Sequence, residues 1–250
     1  MRRIRDLMLF DDLVIACDSC GGIGPKEYDS VAVDAVTTAH FALRVPLLEV
    51  LCSGARPMMV IDTLCVEMDP TGRAMIDEMV RLAGQVGIPG DAVGGSTEEN
   101  VPTRATGVGT VVLGRLRRPE DLLSGGGWPG DAVLCLGLPV SAPDEDIFIG
   151  HPQQVSVAQV QAVAASGLAH DMLPVGSRGL AFEVPQLAAS AGLDVCWEEP
   201  ALVARQDSGG PASAVLVSCA PGDVAAITQL VTAVTNSPSD LPVHLVARLA

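Results

Sequence analysis

The chain of 250 residues is 48% hydrophobic but carries only four Phe, two Trp and one Tyr, so its core is built from aliphatic side chains. Thirty acidic against fifteen basic residues leave a formal net charge of −15, which repels a polyanion over most of the surface and argues against nucleic-acid binding. The length and the apolar fraction suit one large domain or two small ones and exclude disordered and collagen-like classes.

At the start of the chain, Met1-Arg2-Arg3-Ile4-Arg5-Asp6 leads into Asp11-Asp12 without a signal-peptide core. No apolar run reaches the ~18 to 20 residues of a membrane span. These features predict a soluble, cytoplasmic protein with no membrane partner. The seven cysteines are an odd number, and five lie in apolar stretches, so reduced thiols are expected rather than a disulfide framework.

Strands are predicted at Asp12–Cys17, Met58–Val66 and Gly107–Gly114, short β-branched runs bounded by turn residues. Between them, helices are expected at about Val45–Ser53 and about Thr71–Gln85, the latter with Met75, Met79, Leu82 and Val86 at helical spacing and Gly87 as a stop. After Arg117-Arg118-Pro119 and the Gly-rich Ser124–Gly130 stretch the style repeats. Strands are read at Ala132–Gly137, Ala212–Cys219 and Val243–Arg248, and helices at about Val155–Ala165, Leu180–Ala191 and Asp223–Val234. Residues 1–118 hold sixteen acids against twelve bases, and 119–250 hold fourteen against three. The shift in charge and the breaker-rich turn divide the chain into 1–117 and 118–250, in an α+β / α/β class.

Three segments of the first half carry chemistry. Cys17-Asp18-Ser19-Cys20-Gly21-Gly22-Ile23-Gly24-Pro25-Lys26 follows a predicted strand, and its glycines allow backbone amides to approach an anion. Lys26 is the single lysine among fifteen basic residues. The loop is not a Walker A sequence, because Glu27 stands where Ser or Thr belongs. Glu49 interrupts an apolar helix and faces either a cation or solvent. Gly94-Gly95-Ser96-Thr97-Glu98-Glu99 places adjacent carboxylates on a Gly-initiated loop, as a magnesium site or as the dipole-complementing start of a helix. Asp18, Glu49, Glu98 and Glu99 are therefore candidate Mg2+ ligands, with ATP held through bridging metal. Asp62, on the second predicted strand, is a candidate general base. Cys17 and Cys20 have no second Cys pair or nearby His to complete a zinc site.

In these blocks the chain resembles the aminoimidazole ribonucleotide synthetase superfamily (PurM-like), which includes thiamine-monophosphate kinase, selenophosphate synthetase and hydrogenase-maturation dehydratases. Asp18–Lys26 is similar to the family's Asp-Gly-Val-Gly-Thr-Lys loop with a small insertion. Glu49–Pro57 is similar to Asn-Asp-x-x-x-x-Gly-Ala-x-Pro, with Glu49 at the family's Asp, and Gly94–Glu99 to Gly-Gly-Glu/Asp-Thr, with Ser96 in place of the acid. Asp171–Leu180 sits where the family has an Asp-rich segment leading into Gly-Gly-Leu. The resemblance implies an N-terminal domain forming half of a dimeric β-barrel with flanking helices, plus a smaller α/β C-terminal domain. It also implies a homodimer, ATP contacts at Gly21, Gly22, Gly24, Lys26, Gly95, Ser96 and Thr97, and a catalytic role for Lys26.

Residues 15–26, 67–72 and 95–100 further resemble the compact α-ribazole kinase branch of cobamide salvage. The expectation is a Mg-ATP-dependent kinase acting on a small-molecule alcohol or nucleoside. An amide- or thioamide-activating synthetase and a non-catalytic nucleotide-binding dimer are the alternatives.

Overall fold

The computed structural model describes residues 1–142, 145–235 and 237–250. Strands β1 (Arg2–Ile4) and β2 (Leu7–Phe10) form a hairpin whose turn holds Arg5 at a φ of 51°. They are followed by β3 (Leu13–Gly21), the two-residue strands β4 (Ile23–Gly24) and β5 (Val31–Ala32), and the long helix α1 (Ala35–Cys52). β6 (Arg56–Leu64), a π-helical turn over Met68–Gly72, α2 (Arg73–Gly84), β7 (Val93–Thr97) and β8 (Gly107–Arg115) complete the first half. The second half runs β9 (Ala132–Leu136), α3 (Val157–Ala165), β10 (Ala169–Pro174), α4 (Leu180–Ser190), β11 (Val195–Trp197), β12 (Val215–Cys219), α5 (Val224–Thr232) and β13 (Val243–Leu249).

The first half builds a six-stranded sheet in the order β1-β2-β3-β8-β6-β7, antiparallel except for the parallel β6–β7 pair. The second half builds a five-stranded antiparallel sheet, β10-β12-β9-β13-β11. The result is a mixed α and β fold whose strands pair mostly with distant partners rather than through parallel crossovers. The stretch read as the Gly94–Glu99 loop contains β7, because Val93–Thr97 pairs residue for residue with Val60–Leu64.

α1 begins ten residues before its predicted start. Asp34 caps it, accepting a hydrogen bond from the Thr37 amide at 2.8 Å, and a capped N-terminus with an alanine- and leucine-rich body sustains a helix. The helix packs against β3, β8 and β6 on one side and against α3 and β10 on the other. By length and composition α1 could cross a membrane, with a mean hydropathy of 1.4, which corrects the expectation that no such stretch exists; 67% of it lies buried inside the protein. Burial on both sides accounts for its apolar character. One continuous core therefore runs from Val14, Leu43 and Leu47 to Val160 and Val217, and a second core fills the far face of the second sheet around Leu180, Val184 and Leu216.

The outward face of the first sheet is apolar and uncovered. Met8, Ile15, Leu113 and Met59 lie in one register row across four strands, and Cys17, Val111 and Ile61 in the next. Met8, Met59, Ile61 and Phe10 are all exposed.

Candidate functional site

A cavity of about 590 Å³ opens where β3, α1 and the loop before α4 meet, a volume typical of small-molecule sites. Thr38, Phe41, Ala42, Val45 and Glu49 line it from α1. Their spacing of three or four residues makes them one stripe of the helix, so Glu49 faces the cavity rather than bulk solvent. Asp18 faces it from β3, in register with Thr110, whose hydroxyl donates to the Ala42 carbonyl at 2.7 Å and fixes strand against helix. The second half supplies Gly176, Ser177, Arg178, Phe182 and Glu183, together with Gly210-Pro211-Ala212.

The charges around this cavity are unbalanced. Asp6, Asp18, Glu49 and Glu183 line it against one cation among the described residues, Arg178. The Arg178 guanidinium lies 3.1 Å from the Phe182 ring centre. Burial, reinforced by the Asp6 and Glu183 carboxylates, pushes the Glu49 pKa up to about 8. Burial likewise brings Glu183 to about 7, against a hydrogen bond from the Gly176 backbone, and raises Asp18.

Beside the cavity lies a polar rim. Ile23 lines the cavity, and Lys26, three residues on, forms an ion pair with Glu67. Thr71 donates to the other Glu67 oxygen at 2.5 Å. Burial works to raise the Glu67 pKa, but hydrogen bonds from Lys26, Thr71 and its own backbone outweigh it and bring it to about 2. Glu99 accepts from the Met68 amide at 2.6 Å and from the Thr97 hydroxyl at 3.2 Å.

No family model matches the chain. Among curated proteins, the phosphoribosylformylglycinamidine cyclo-ligase of Methanothermobacter thermautotrophicus is 32% identical over 152 residues, covering 52% of this chain and 39% of that relative. The match thus spans well under half of the cyclo-ligase. Among solved structures, thiamine monophosphate kinase from Aquifex aeolicus superposes with a TM-score of 0.67 at 13% identity, covering 97% of this chain and 87% of that one. The chain has the PurM-like fold. Hydrogenase maturation protein HypE in complex with ATP shares it at a TM-score of 0.67 and 16% identity, over 97% of this chain and 78% of that one. T. maritima PurL complexed with AMPPCP shares it at 0.66 and 16%, over 98% of this chain but only 42% of PurL.

Within this PurM-like frame the predicted site residues divide into two groups. Asp18 and Glu49 meet at the cavity, while Lys26, Thr97 and Glu99 are linked through Glu67 and Met68 at the rim. Glu98 and Glu99 do not join Asp18 and Glu49. The Glu98 carboxylate accepts from the Asn100 and Val101 amides, and both acids satisfy backbone donors where β7 ends. No three His, Cys, Asp or Glu side chains among the described residues are grouped to hold a metal. The expected magnesium ligands are thus split in space: Asp18 and Glu49 share the cavity, while Glu98 and Glu99 lie apart from it. A pair fits magnesium that arrives with substrate phosphates, since that ion commonly takes one or two carboxylates and completes its shell with phosphate and water.

The glycine loop uses two of its amides internally. The Gly22 amide donates to Thr106 O at 2.9 Å and the Lys26 amide to Asp29 at 2.8 Å, so both are already engaged. Gly24 serves packing: at its φ of 155° a Cβ would sit 2.4 Å from the Thr106 hydroxyl. Gly21 pairs in register with Gly107 on β8, and Gly95 and Ser96 lie in β7, away from the cavity walls. A Cβ on Gly95 would stand 1.9 Å from Asp62 O.

Asp62 does not line this cavity. Its side chain points into the core, the residue is 1% exposed, and neither carboxylate oxygen has a hydrogen-bond partner among the described residues. A base must reach the proton it abstracts. Sequence reading missed Asp6, Glu67, Arg178 and Glu183, which join the site from a hairpin turn, a π-turn and the start of α4. For Glu67 a signal existed in the block at residues 67–72, and for Arg178 in the Asp171–Leu180 block; Asp6 and Glu183 lie in segments without a pattern of their own.

Proposed function

We propose that the chain is a Mg-ATP-dependent phosphotransferase acting on a small-molecule alcohol or nucleoside, with α-ribazole as the first substrate to try. The observation that carries this reading is the convergence of Asp18 and Glu49 on one cavity of about 590 Å³ beside the Lys26 rim. Superposition on an ATP complex and on a kinase of the same fold supports it. In this reading the chain divides into a nucleotide-binding part, 1–117, and a part that closes the cavity, 118–250.

Magnesium, when bound, would neutralise charge on the transferring phosphoryl group. Asp18 and Glu49 would orient it, and Lys26, held by Glu67 until nucleotide arrives, would supply positive charge at the rim. Apolar walls from Phe41, Val45 and Phe182 would position the acceptor and keep water out, so that catalysis is mainly orientation and charge stabilisation. A bridging ion would hold Glu49 and Asp18 in their charged forms and offset their repulsion of phosphate.

Lys26→Ala and Glu49→Gln are each expected to lower ATP turnover by about 10²-fold or more while leaving the circular dichroism spectrum intact. Wild-type turnover in both variants would remove the site assignment. The cyclo-ligase likeness favours one second reading, ATP-dependent activation of an amide or related group. A phosphorylated, stable product with ADP identifies the kinase, whereas ADP with free phosphate and a dehydrated or cyclised product identifies the alternative.

The uncovered row of Met8, Ile15, Leu113 and Met59 supports a homodimer closed sheet to sheet, since exposed apolar patches of this kind mark interaction sites. Ile61→Lys in the adjacent row should convert the dimer to a monomer by sedimentation velocity. An unchanged sedimentation coefficient would place the interface elsewhere.

A further inference from the structure

Arg44 lies on α1 yet is only 3% exposed, and no carboxylate pairs with it among the described residues. One terminal nitrogen donates to two backbone carbonyls of the second half, Val155 O and Ala212 O, the latter at 3.0 Å, and its Nε has no partner among the described residues. Burying an unpaired guanidinium is costly, and an apolar side chain of similar length would fill the same space. What distinguishes the arginine is the pair of carbonyls it holds.

The Ala212 carbonyl belongs to the roof of the cavity, and Val155 lies behind it, hydrogen-bonded to the adjacent Ser213. Ala212 lines the cavity together with Gly210 and Pro211, and Ala212 sits at a φ of 56°, a left-handed conformation unfavourable for a residue with a Cβ. Its neighbour Ser213 is fully buried and ties the remaining roof segments together. The Ser213 hydroxyl accepts from the Val140 amide at 2.9 Å and donates to Gly209 O at 3.2 Å, and Ser213 O accepts from the Val155 amide at 3.0 Å. Val140 leads directly into Ser141 and Ala142, which also line the cavity. Three separate loops are thus joined at Ser213 and fastened to α1 by one guanidinium. Strained backbone that persists beside a binding cavity is held by its surroundings, and Arg44 is the charged part of what holds it.

We propose that Arg44 is a positioning residue for the cavity: by holding the Ala212 and Val155 carbonyls it sets the roof at the height a ligand requires. The proposal rests on the cavity being the ligand site of the function proposed above, and its test separates the two.

Arg44→Met keeps the length and removes the donors, whereas Arg44→Lys keeps a donor. Two quantities are measured in each: amide hydrogen exchange at Val140, Val155 and Ser213, and the affinity for ATP with magnesium by calorimetry. Arg44→Met should accelerate exchange at these three amides while β3 and β8 stay protected, and should weaken ATP binding about tenfold or more. Arg44→Lys should restore both. A role in packing alone predicts the opposite order, with Met as good as Arg, and that result overturns the proposal. Unchanged exchange at the roof in Arg44→Met also overturns it, whether or not ATP binds. If Arg44→Met fails to fold, Arg44→Gln, which keeps one amide donor, carries the same exchange comparison. A wild-type protein that binds no ATP counts against the proposed nucleotide function, while roof exchange still decides the role of Arg44.

Discussion

Arg5→Met is expected to destabilise the protein by about 3–5 kcal/mol, the range for removing one partner of a buried ion pair. The Arg5 guanidinium reaches from the β1–β2 turn into the second half, where it forms a two-pronged pair with Asp171 and donates to Met172 O at 3.2 Å. The side chains of the two residues are 5% and 0% exposed. Asp171 also accepts from the Gly125 amide at 2.9 Å, and Ser190 accepts from Arg5 Nε at 3.1 Å, so the network is filled on all sides. Without the guanidinium, the Asp171 carboxylate stays buried with only backbone donors to it. Asp171→Leu should cost a similar amount on its own. The double variant Arg5→Met with Asp171→Leu should recover much of the loss, because exchanging both charges for apolar groups leaves no orphan. Urea unfolding of the four proteins checks this. Strict additivity of the two single losses would show that the pair is not coupled.

Asp62→Leu should raise stability, by about 1–3 kcal/mol, the penalty for an unpartnered buried polar group. Leu matches the branched shape of Asp, and Val60, Leu64 and Val112 on the same face are aliphatic and buried, with Thr110 directly opposite on β8. The effect depends on pH with a definite sign. Burial raises the Asp62 pKa above its ordinary value of 3.8. A carboxyl whose folded pKa is raised contributes stability that is fully present below the unfolded pKa and is lost as pH rises through the folded one. The advantage of Asp62→Leu should therefore grow from about pH 4 to about pH 8, and Asp62→Asn should show a flatter pH dependence than wild type. Calorimetric melting at the two pH values measures both. A variant less stable than the parent at the higher pH would mean that Asp62 has a partner in solution.

The contrast between these residues shows what a sequence can disclose. β3, β6 and β8 were legible because alternating β-branched runs mark half-buried strands, and Glu49 stood out because an acid in an apolar helix needs a reason. A carboxyl in a buried strand is equally conspicuous, and its direction is set by the register of β6 against β8, which no local pattern encodes. Arg44 hid the first half of α1: a charge in mid-run suggests a solvent face, whereas this one is drawn inward by carbonyls more than a hundred residues away. β10 was missed because His170 and Asp171 interrupt its apolar run, each occupied by a distant partner, Asp131 and Arg5. Glu98 and Glu99 were read for their charge, yet their carboxylates serve backbone amides, Glu98 those of Asn100 and Val101 just after it and Glu99 that of Met68 on the π-helical turn.

Helix α1, enclosed by the first sheet and α2 on one side and by α3 and β10 on the other, has a consequence for how such a chain can be remade. A chain severed after residue 117 would leave one flank of α1 facing water, so neither piece is a ready-made module to be recombined with pieces of its relatives. Recombination among proteins of this fold would succeed only where the incoming second half carries the complementary imprint of this helix, including two carbonyls set to receive Arg44.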